Sequence, residues 1–408
     1  MSTLVLKFGG TSVASTELIK SAAKIVKKEY DNGHNIAVVV SAMAGTTNNL
    51  INYVNDFHSS KSDSVEFNAE YDVVVSSGEQ VTSGLMSLAL NEIGVPAISW
   101  LGWQLPIITN GPHRNANIRK IIPDKINECF KERKVSVLAG FQGLSSESRI
   151  TTIGRGGSDN TAVFLASSLK ADRCDIYTDV DGVYTTDPNI DQNAKKIPKM
   201  SYEEMLEMAS TGSKVLHTRS VELAMKNNLT LQVLSSLTKE TGTFIVDEKE
   251  LIEKEIVSGV SYSKNEGKVT ISGILDKPGI SAKIFSLMTE NNINVDMIVQ
   301  NISQDGISAN ITFTINQKDF DLTKSVIEKN HNSLKYKSLS LDKNVAKISV
   351  IGMGMMSQAG VAEKMFKTLA KNEINILAIS TSEIKISVLI EEKHTNIAVK
   401  SLHEAYNL

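Results

Sequence analysis

The feature that most constrains the fold is a series of short apolar runs that recur through the first 247 residues. They include LVL at 4–6, NIAVVV at 35–40, VSVLAG at 135–140, RCDIYT at 173–178 and TLQVLS at 230–235, with helical segments between them. Nearly continuous Val, Ile and Leu strands separated by helices are typical of a largely parallel sheet covered on both faces. Ligands of such sheets bind at the carboxyl ends of the strands. Polar residues there are therefore the first candidates for a site.

Composition excludes several classes of function. The chain has 408 residues and a net charge of −3, and its only cysteines are Cys129 and Cys174. The length predicts two to three domains. Dispersed Lys and Arg residues predict that neither nucleic acid nor an anionic membrane is a partner, and no apolar run reaches transmembrane length. Two cysteines without metal-ligand spacing predict no protein-held metal and a cytoplasmic location.

The segment KFGGTS at 7–12 predicts a phosphate site. It follows the first apolar run and precedes a helix for which Ser15 is the predicted N-cap. Backbone N–H groups beside a helix N-terminus attract anions, and Lys7 adds a full positive charge. Because Lys7 precedes Gly9 and Gly10, this is not the P-loop pattern, in which the Lys follows the glycines. A strand–Gly–Gly turn without function is the alternative.

Three further segments carry groups that suit a small zwitterionic ligand. Ser41 and Thr47 in SAMAGTTN follow the second run and supply hydroxyls. Glu79 is predicted in the first turn of a helix, where it either binds a cation or simply complements the helix dipole. Arg155 lies between glycines in GRGGSD at 154–159 and can bind a carboxylate bidentately, with Ser158 or Asp159 predicted to cap the following helix.

Two segments nearer residue 200 suit a nucleotide. TDVDGVYTTDP at 178–188 is rich in hydroxyls and carboxylates and can order a nucleotide or hydrated Mg²⁺, although such sequences also form ordinary turns. GSKVLH at 212–217 places Lys214 at a predicted helix start. A cation is unfavourable at that position unless an anionic ligand is nearby.

The last 150 residues contain an internal repeat. KVTISG at 268–273 recurs as KISVIG at 347–352, and Phe285 and Asn294 recur as Phe366 and Asn375. Each copy is typical of a ferredoxin-like βαββαβ module. The second copy lacks its final strand, whereas EIVSGVSYS at 255–263 is a predicted strand that belongs to neither copy. We therefore predict that this strand completes the C-terminal module.

Taken together and in this order, these motifs resemble the aspartate kinase family, which combines an amino acid kinase fold with tandem ACT domains. The resemblance covers essentially the whole chain. It implies a catalytic domain at 1–247, a linker with the completing strand at 248–263, and ACT domains at 264–342 and 343–408. It also implies phosphorylation of the β-carboxylate of L-aspartate by ATP, with Mg²⁺ bound mainly through the nucleotide, as the first step toward lysine, threonine and methionine.

The resemblance further implies a role for each motif residue. The catalytic residues would be Lys7, Asp159 and Lys214. The contacts to the substrate would be Ser41, Thr47, Glu79, Arg155 and Ser158. The contacts to the nucleotide would be Lys7, Phe8, Gly9, Gly10, Thr178, Asp179, Tyr184 and Lys214. One position departs from the family, because Asn189 stands where many relatives have an Arg that helps to hold ATP.

Regulation is predicted at the first ACT module. The helix start at DKPGIS offers N–H groups for the carboxylate of an amino acid, and the polar side chains of NVDMIVQ can take its ammonium and side chain. The predicted effector residues are Asp276, Lys277, Pro278, Gly279, Ile280, Ser281, Asn294, Val295, Asp296 and Gln300. Lysine is the expected effector, threonine is a second candidate, and self-association through the ACT domains is expected. A plain helix-start turn is the alternative.

Two other functions are compatible with parts of the pattern. One is another enzyme of the amino acid kinase fold, such as a glutamate or acetylglutamate kinase, because one methylene of substrate is worth only about 1–3 kcal/mol of discrimination. The KFGGTSV opening together with the tandem repeat favours aspartate kinase. The other is a kinase-like sensor of amino acids without activity, against which the intact Lys7, Arg155, Asp159 and Lys214 argue. The inhibiting end product, single or concerted inhibition, and dimer or tetramer remain open.

Overall fold

The computed structural model describes residues 2–57, 64–212, 215–238, 240–251, 255–303, 306–356 and 358–408. The described residues within 1–183, 196–209 and 214–252 form one compact unit, and those within 184–195, 210–213 and 253–408 form a second. Within the described ranges, no helix combines the length and the apolar character needed to cross a bilayer.

The first unit contains alternating strands and helices. Its strands are β1 (Thr3–Phe8), β2 (Asn35–Val40), β3 (Ala97–Trp100), β4 (Ile107–Asn110), β5 (Asn117–Ile121), β6 (Val135–Ala139), β7 (Gln142–Leu144), β8 (Ile150–Thr152), β9 (Arg173–Thr178), β10 (Lys199–Ser201), β11 (Leu231–Ser235) and β12 (Thr243–Val246). Its helices are α1 (Thr16–Asp31), α2 (Thr46–Asn55), α3 (Val65–Val75), α4 (Ser77–Glu92), α5 (Asp124–Lys131), α6 (Gly157–Leu169), α7 (Tyr202–Thr211), whose last two residues fall in the second unit, and α8 (Thr218–Lys226).

The predicted mostly parallel sheet is confirmed. Eight strands of the described chain follow the order β10-β12-β11-β9-β1-β2-β6-β3, and among their pairings only β11 with β12 is antiparallel. In the register, Lys7 of β1 lies beside Val39 of β2 and Ile176 of β9. Ser41 and Thr178 therefore share the sheet edge at which β1 ends. A smaller sheet has the order β5-β4-β7-β8.

Apolar faces of α1 and α4 pack against this sheet and hold strand β1 in position. Leu6 and Phe8 of β1 are fully buried, and they belong to one core with Ile19 of α1 and Met86 of α4. Since apolar burial contributes about 25 cal/mol per Å², this core holds β1 firmly in place. The residues that follow β1 are thus presented from a rigid support.

Helix caps were predicted correctly in one case and wrongly in another. Ser15 is the N-cap of α1, and its Oγ accepts a hydrogen bond from the Leu18 N–H at 3.3 Å, as predicted. The N-cap of α6 is Gly156, not Ser158 or Asp159, which lie within the first turn. Gly156 has a φ of 69°, and a Cβ there would lie 2.6 Å from Cγ of His217. A glycine is needed because the backbone turns left-handed against a neighbouring ring.

The second unit contains the repeat. Its strands are β13 (Gly259–Leu275), β14 (Val295–Ile302), β15 (Ser308–Asn316), β16 (Ser338–Ile351), β17 (Ala378–Thr381) and β18 (Lys385–Glu391). Its helices are α9 (Ile280–Glu290), α10 (Phe320–Lys329), α11 (His331–Leu334), α12 (Val361–Lys371) and α13 (Thr395–Ala405). In the described part of the chain, the strands form one sheet with the order β14-β15-β13-β16-β18-β17.

Two long strands run through both halves of this sheet. Residues 266–275 of β13 pair with β15, whereas residues 259–263 pair with residues 347–351 of β16, which in turn pair with β18. Each half has its own apolar core, one around Phe313 and Ile284 and the other around Ile348 and Met365. The predicted pair of ferredoxin-like modules is confirmed, and the strand before the first module lies in the sheet of the second.

The segment 184–195 belongs to the second unit, although it lies within the predicted catalytic range of 1–247. His403 of α13 is buried, with Nδ1 3.0 Å from a carboxylate oxygen of Asp191 and Nε2 2.8 Å from Oγ of Thr185. Tyr262 of β13 donates its hydroxyl proton to Asp187 at 2.9 Å. Side chains of α13 and β13 therefore hold this segment through polar contacts in addition to packing.

Candidate active site

Lys7 is the last but one residue of β1 and is only 8 % exposed. Its Nζ lies 2.6 Å from Oδ1 of Asp159 in the first turn of α6. A carboxylate is favourable at a helix N-terminus, and here it also restrains the ammonium of Lys7. Two residues from distant parts of the chain thus form one ion pair at the sheet edge.

The glycines after Lys7 have different tasks. A Cβ on Gly10 would lie 2.9 Å from the backbone oxygen of Ala42, so only glycine permits the close approach of the turns after β1 and β2. The N–H of Gly9 donates to the carbonyl oxygen of Tyr177 at 3.0 Å. The Gly9 amide is therefore engaged within the protein, and among the two glycines we retain Gly10 as the candidate phosphate contact.

Glu79 is an unusual buried carboxyl group. It lies in the first turn of α4, is 3 % exposed, and its Oε1 accepts a hydrogen bond from the Ala42 N–H at 3.0 Å. Its Oε2 is buried and has no hydrogen-bond partner. Desolvation raises the pKa of Glu79 from 4.5 to about 7, and the hydrogen bond from Ala42 opposes this only in part. A cationic ligand would supply the missing partner.

Arg155 is carried by a turn of glycines between β8 and α6. Gly154 and Gly156 both have positive φ values, 77° and 69°, which glycine adopts without strain. The Arg155 side chain is exposed. The turn therefore presents a guanidinium to solvent immediately before a helix N-terminus, an arrangement that suits an anionic ligand.

These side chains share one cavity of about 670 Å³, which we call the Lys7 cavity. The predicted residues that line it are Lys7, Gly10, Ser41, Thr47, Glu79, Arg155, Ser158 and Asp159. These predicted residues contribute two cations, the Asp159 carboxylate, the partly unpaired Glu79 carboxyl and several hydroxyls to the cavity. Such a lining can bind a small ligand that carries both an ammonium and carboxylates, next to a phosphate group.

Several predicted nucleotide contacts lie outside the lining of this cavity. The Phe8 side chain is fully buried and stacks on Tyr177 with 4.7 Å between the ring centroids, so only its backbone can reach a ligand. Thr178 ends β9 at the same sheet edge and donates to Asp179 at 3.0 Å. Tyr184 falls in the second unit. Lys214 lies outside the described residues.

Asn189, the position that departs from the family, is used locally. Its backbone N–H and its side-chain Nδ2 both donate to Oδ1 of Asp187, at 2.9 and 3.0 Å. The Asn189 side-chain amide is therefore engaged by a carboxylate of its own turn.

Sequence reasoning missed other residues of the Lys7 cavity, notably Tyr71 and Arg114. The Arg114 guanidinium lies over the Tyr71 ring at 4.2 Å from its centroid, and Arg114 has a φ of 67°. Left-handed backbone at a non-glycine residue costs some conformational strain, which the surrounding contacts must offset. No pattern in the sequence reveals it, because HRNAN at 113–117 contains no glycine at that point.

The predicted effector residues only partly share a cavity. A cavity of about 440 Å³ in the second unit is lined by Asp276, Lys277, Pro278, Gly279, Ile280, Ser281, Ala282 and Gln300. Ser281 donates its hydroxyl proton to Oε1 of Gln300 at 3.0 Å. Asn294, Val295 and Asp296 are not among the lining residues, and Asp296 forms an ion pair with the buried ammonium of Lys347.

Comparisons with known proteins agree with this architecture. The profile described as "Amino acid kinase family" matches residues 2–235, and the profile described as "ACT domain" matches 269–330 and 348–406. An aspartate kinase of Pseudomonas fluorescens is 48% identical over 409 residues, which cover 100% of this chain and 98% of that protein. An aspartokinase of Pseudomonas aeruginosa is 47% identical over 410 residues, with the same coverage.

Solved structures give the same result. The structure of E. coli aspartokinase III in complex with aspartate and ADP superimposes with a TM-score of 0.82 at 26% identity, and covers 99% of both chains. The same E. coli enzyme in complex with lysine and aspartate has a TM-score of 0.76, also at 26% identity, over 98% of this chain and 99% of that chain. With its amino acid kinase and ACT architecture, its predicted acceptor-site residues gathered in one cavity and these full-length similarities, the chain belongs to the aspartate kinase family.

Proposed function

We propose that this enzyme transfers the γ-phosphoryl group of ATP to the β-carboxylate of L-aspartate, the first step toward lysine, threonine and methionine. One observation carries the choice of acceptor: Glu79, whose Oε2 has no partner, lines the same cavity as Arg155 and the Lys7–Asp159 pair. An amino acid with an additional carboxylate complements this set of charges. The complex of the E. coli relative with aspartate and ADP supports the assignment.

Each group has a distinct task in this proposal. Glu79 binds the substrate ammonium, Arg155 binds the α-carboxylate, and the hydroxyls of Ser41 and Thr47 complete the acceptor site. The β-carboxylate is already ionised at neutral pH, so the reaction needs no strong general base. Catalysis then consists of positioning two anions that repel each other and neutralising the charge of the phosphoryl group, a task that suits Lys7.

The nucleotide would bind along the carboxyl ends of β1 and β9. Gly10, Thr178 and Asp179 of the first unit are its proposed contacts, and the roles of Tyr184 and Lys214 stay predictions. When bound, ATP supplies the transferable phosphoryl group, and Mg²⁺ accompanies its phosphates, as is usual for this cation. The engaged amide of Asn189 gives no support for a contact at that position. The cytoplasmic location stays a prediction.

Arg155→Ala tests the acceptor site. We expect the KM for aspartate to rise about thirtyfold, the equivalent of about 2 kcal/mol, because the α-carboxylate loses its charged partner. The KM for ATP should stay within about twofold. Arg149→Ala is the matched control, because the Arg149 side chain is partly exposed, lies in the same unit and pairs with Glu70 outside the cavity lining.

The same ADP-release assay separates the competing functions. ADP release with glutamate or N-acetylglutamate but not with aspartate would indicate another enzyme of the amino acid kinase fold. An absence of release with every acceptor would indicate a sensor. If Arg155→Ala instead weakens ATP and leaves aspartate unaffected, the two substrate sites have been exchanged.

We further propose feedback inhibition by lysine, with threonine as a second candidate, at the ACT modules. The cavity at the start of α9 supports this, because its helix N-terminus and Gln300 suit an amino acid. So does the complex of the E. coli relative with lysine and aspartate. Self-association through sheet edges fits the exposed Ile298 and Ile302 of the terminal strand β14. Inhibition and sedimentation measured with each amino acid, singly and together, test these proposals.

A further inference from the structure

We propose that Asp72, a residue outside all the predicted motifs, is a positioning residue for the acceptor substrate. It acts by holding the two chain segments that orient Arg155, and so it rests on the proposed role of that arginine. Asp72 lies on α3, is completely buried and is not among the residues that line the Lys7 cavity.

The Asp72 carboxylate binds groups from two distant segments of the chain, the end of β8 and the loop at 113–115. It accepts a hydrogen bond from Oγ1 of Thr152 at 2.6 Å, and from the backbone N–H of Arg114 at 3.1 Å to each oxygen. Nδ1 of His113 lies 2.7 Å from Oδ2. Burying a carboxylate is costly unless hydrogen bonds satisfy it, and here each oxygen has more than one partner. The buried carboxylate therefore ties α3, the loop at 113–115 and the end of β8 together.

Both segments that Asp72 holds are next to the turn that carries Arg155, the end of β8 in the sequence and the loop at 113–115 in space. Thr152 ends β8 three residues before Arg155, and its backbone oxygen also accepts the N–H of Ala116 at 2.9 Å. A Cβ on Gly154 would lie 2.8 Å from Oδ1 of Asn115, so the loop at 113–115 lies directly against the turn that carries Arg155. A displacement of this loop would move the guanidinium.

The backbone conformation of Arg114 gives a second reason to expect that hydrogen bonds to Asp72 hold this loop in place. Its φ of 67° is strained for an arginine, and both oxygens of Asp72 accept its N–H. Its side chain, stacked on Tyr71, lines the Lys7 cavity beside Arg155. Loss of the carboxylate would let this residue relax and would alter the wall of the cavity.

Asp72→Asn tests the proposal with little change in volume. An amide keeps one acceptor oxygen, but its NH₂ group faces the Arg114 N–H in either orientation, because that N–H lies 3.1 Å from both carboxylate oxygens, so two donors face each other. We expect the KM for aspartate to rise by about ten- to a hundredfold, the effect of misplacing a binding group by about 1 Å. The KM for ATP should change by less than about threefold.

Glu204→Gln is the matched control for a buried carboxylate. Glu204 is 3 % exposed and accepts hydrogen bonds from the backbone and hydroxyl of Ser201 at the start of α7. Glu204→Gln should lower the midpoint temperature of unfolding and should leave the KM for aspartate and the KM for ATP unchanged. If Asp72→Asn behaves in the same way, with lower stability and both KM values unchanged, Asp72 is merely structural and the proposal is overturned.

A second pair of variants covers the case in which Asp72→Asn does not fold. Thr152→Val removes one hydrogen bond to Asp72, and Thr152→Ser restores it. A raised KM for aspartate in the valine variant that returns toward the wild-type value in the serine variant supports the proposal, whereas equal values in both overturn it. If the wild type shows no aspartate-dependent ADP release, the proposed function fails first, and the two failures are thus distinguishable.

Discussion

We expect the replacement of Glu79 by glutamine to change the pH dependence of stability and to weaken substrate binding. Both effects have one cause, because the burial that raises the pKa of this carboxyl group also creates the proposed ammonium site. Desolvation raises its pKa from 4.5 to about 7. Between these values the folded protein keeps a proton that the unfolded chain has lost, so the stability of the folded state falls as the pH rises from 4.5 through 7. Above pH 7 the folded state carries the full cost of a buried charge.

The size of this effect follows from the shift. A difference of about 2.5 units at about 1.36 kcal/mol per unit corresponds to about 3 kcal/mol across that pH window. Glutamine does not titrate. The free energy of unfolding of the wild type, minus that of Glu79→Gln, should therefore decrease by about 3 kcal/mol between pH 4.5 and 8. Measuring this difference against pH cancels all groups that the two proteins share.

Denaturant unfolding followed by tryptophan fluorescence is a suitable assay. The two tryptophans, Trp100 and Trp103, both lie in the first unit with Glu79, so the signal reports on the relevant unit. In parallel, the wild-type KM for aspartate should rise as the pH falls below about 7, because a protonated carboxyl cannot pair with the ammonium. In Glu79→Gln the KM should be at least about thirtyfold higher and independent of pH there. The reasoning would be refuted if the free energies of unfolding of the two proteins changed in parallel with pH, or if the KM for aspartate in Glu79→Gln equalled the wild-type value.

Three other variants test the remaining parts of the molecule. Lys7→Ala should lower kcat about a hundred- to a thousandfold, with little change in the KM for aspartate, because its charge acts on the phosphoryl group in transfer; an unchanged kcat would rule out its catalytic role. Gln300→Ala should weaken lysine inhibition while basal kcat is retained, because Gln300 lines the cavity at the start of α9, and full lysine sensitivity in this variant would refute the effector site. Burial lowers the pKa of His403 below 6.5, although Asp191 opposes the shift, so stability should be lost as the pH falls below 6.5. His403→Gln should flatten this dependence in thermal unfolding followed by circular dichroism, and an equally steep decline would show that other groups cause it.

Local patterns in the sequence were sufficient for the fold class and for naming residues that the structure gathers in one cavity. The short Val-rich runs, such as NIAVVV at 35–40, determine strands that are buried on both faces, and parallel strands align their carboxyl ends. Lys7 and Ser41 were therefore expected at one edge from their positions alone, and both line the same cavity. The repeat also carried its own signal, because two copies with matching Gly, Phe and Asn positions imply two similar modules.

Only the tertiary structure decided which of these groups lack partners and which are held by others. The Oε2 of Glu79 is unpartnered because of how α4 packs beside the turn after β2, and the amide of Gly9 is engaged by Tyr177, more than 160 positions away. Asp72 accepts a hydrogen bond from Thr152, which lies 80 positions away in the sequence, and no local pattern around either residue predicts this contact. Hydrophobic periodicity depends on neighbours three or four residues apart, whereas burial, desolvation and hydrogen-bond satisfaction depend on what long-range packing brings together.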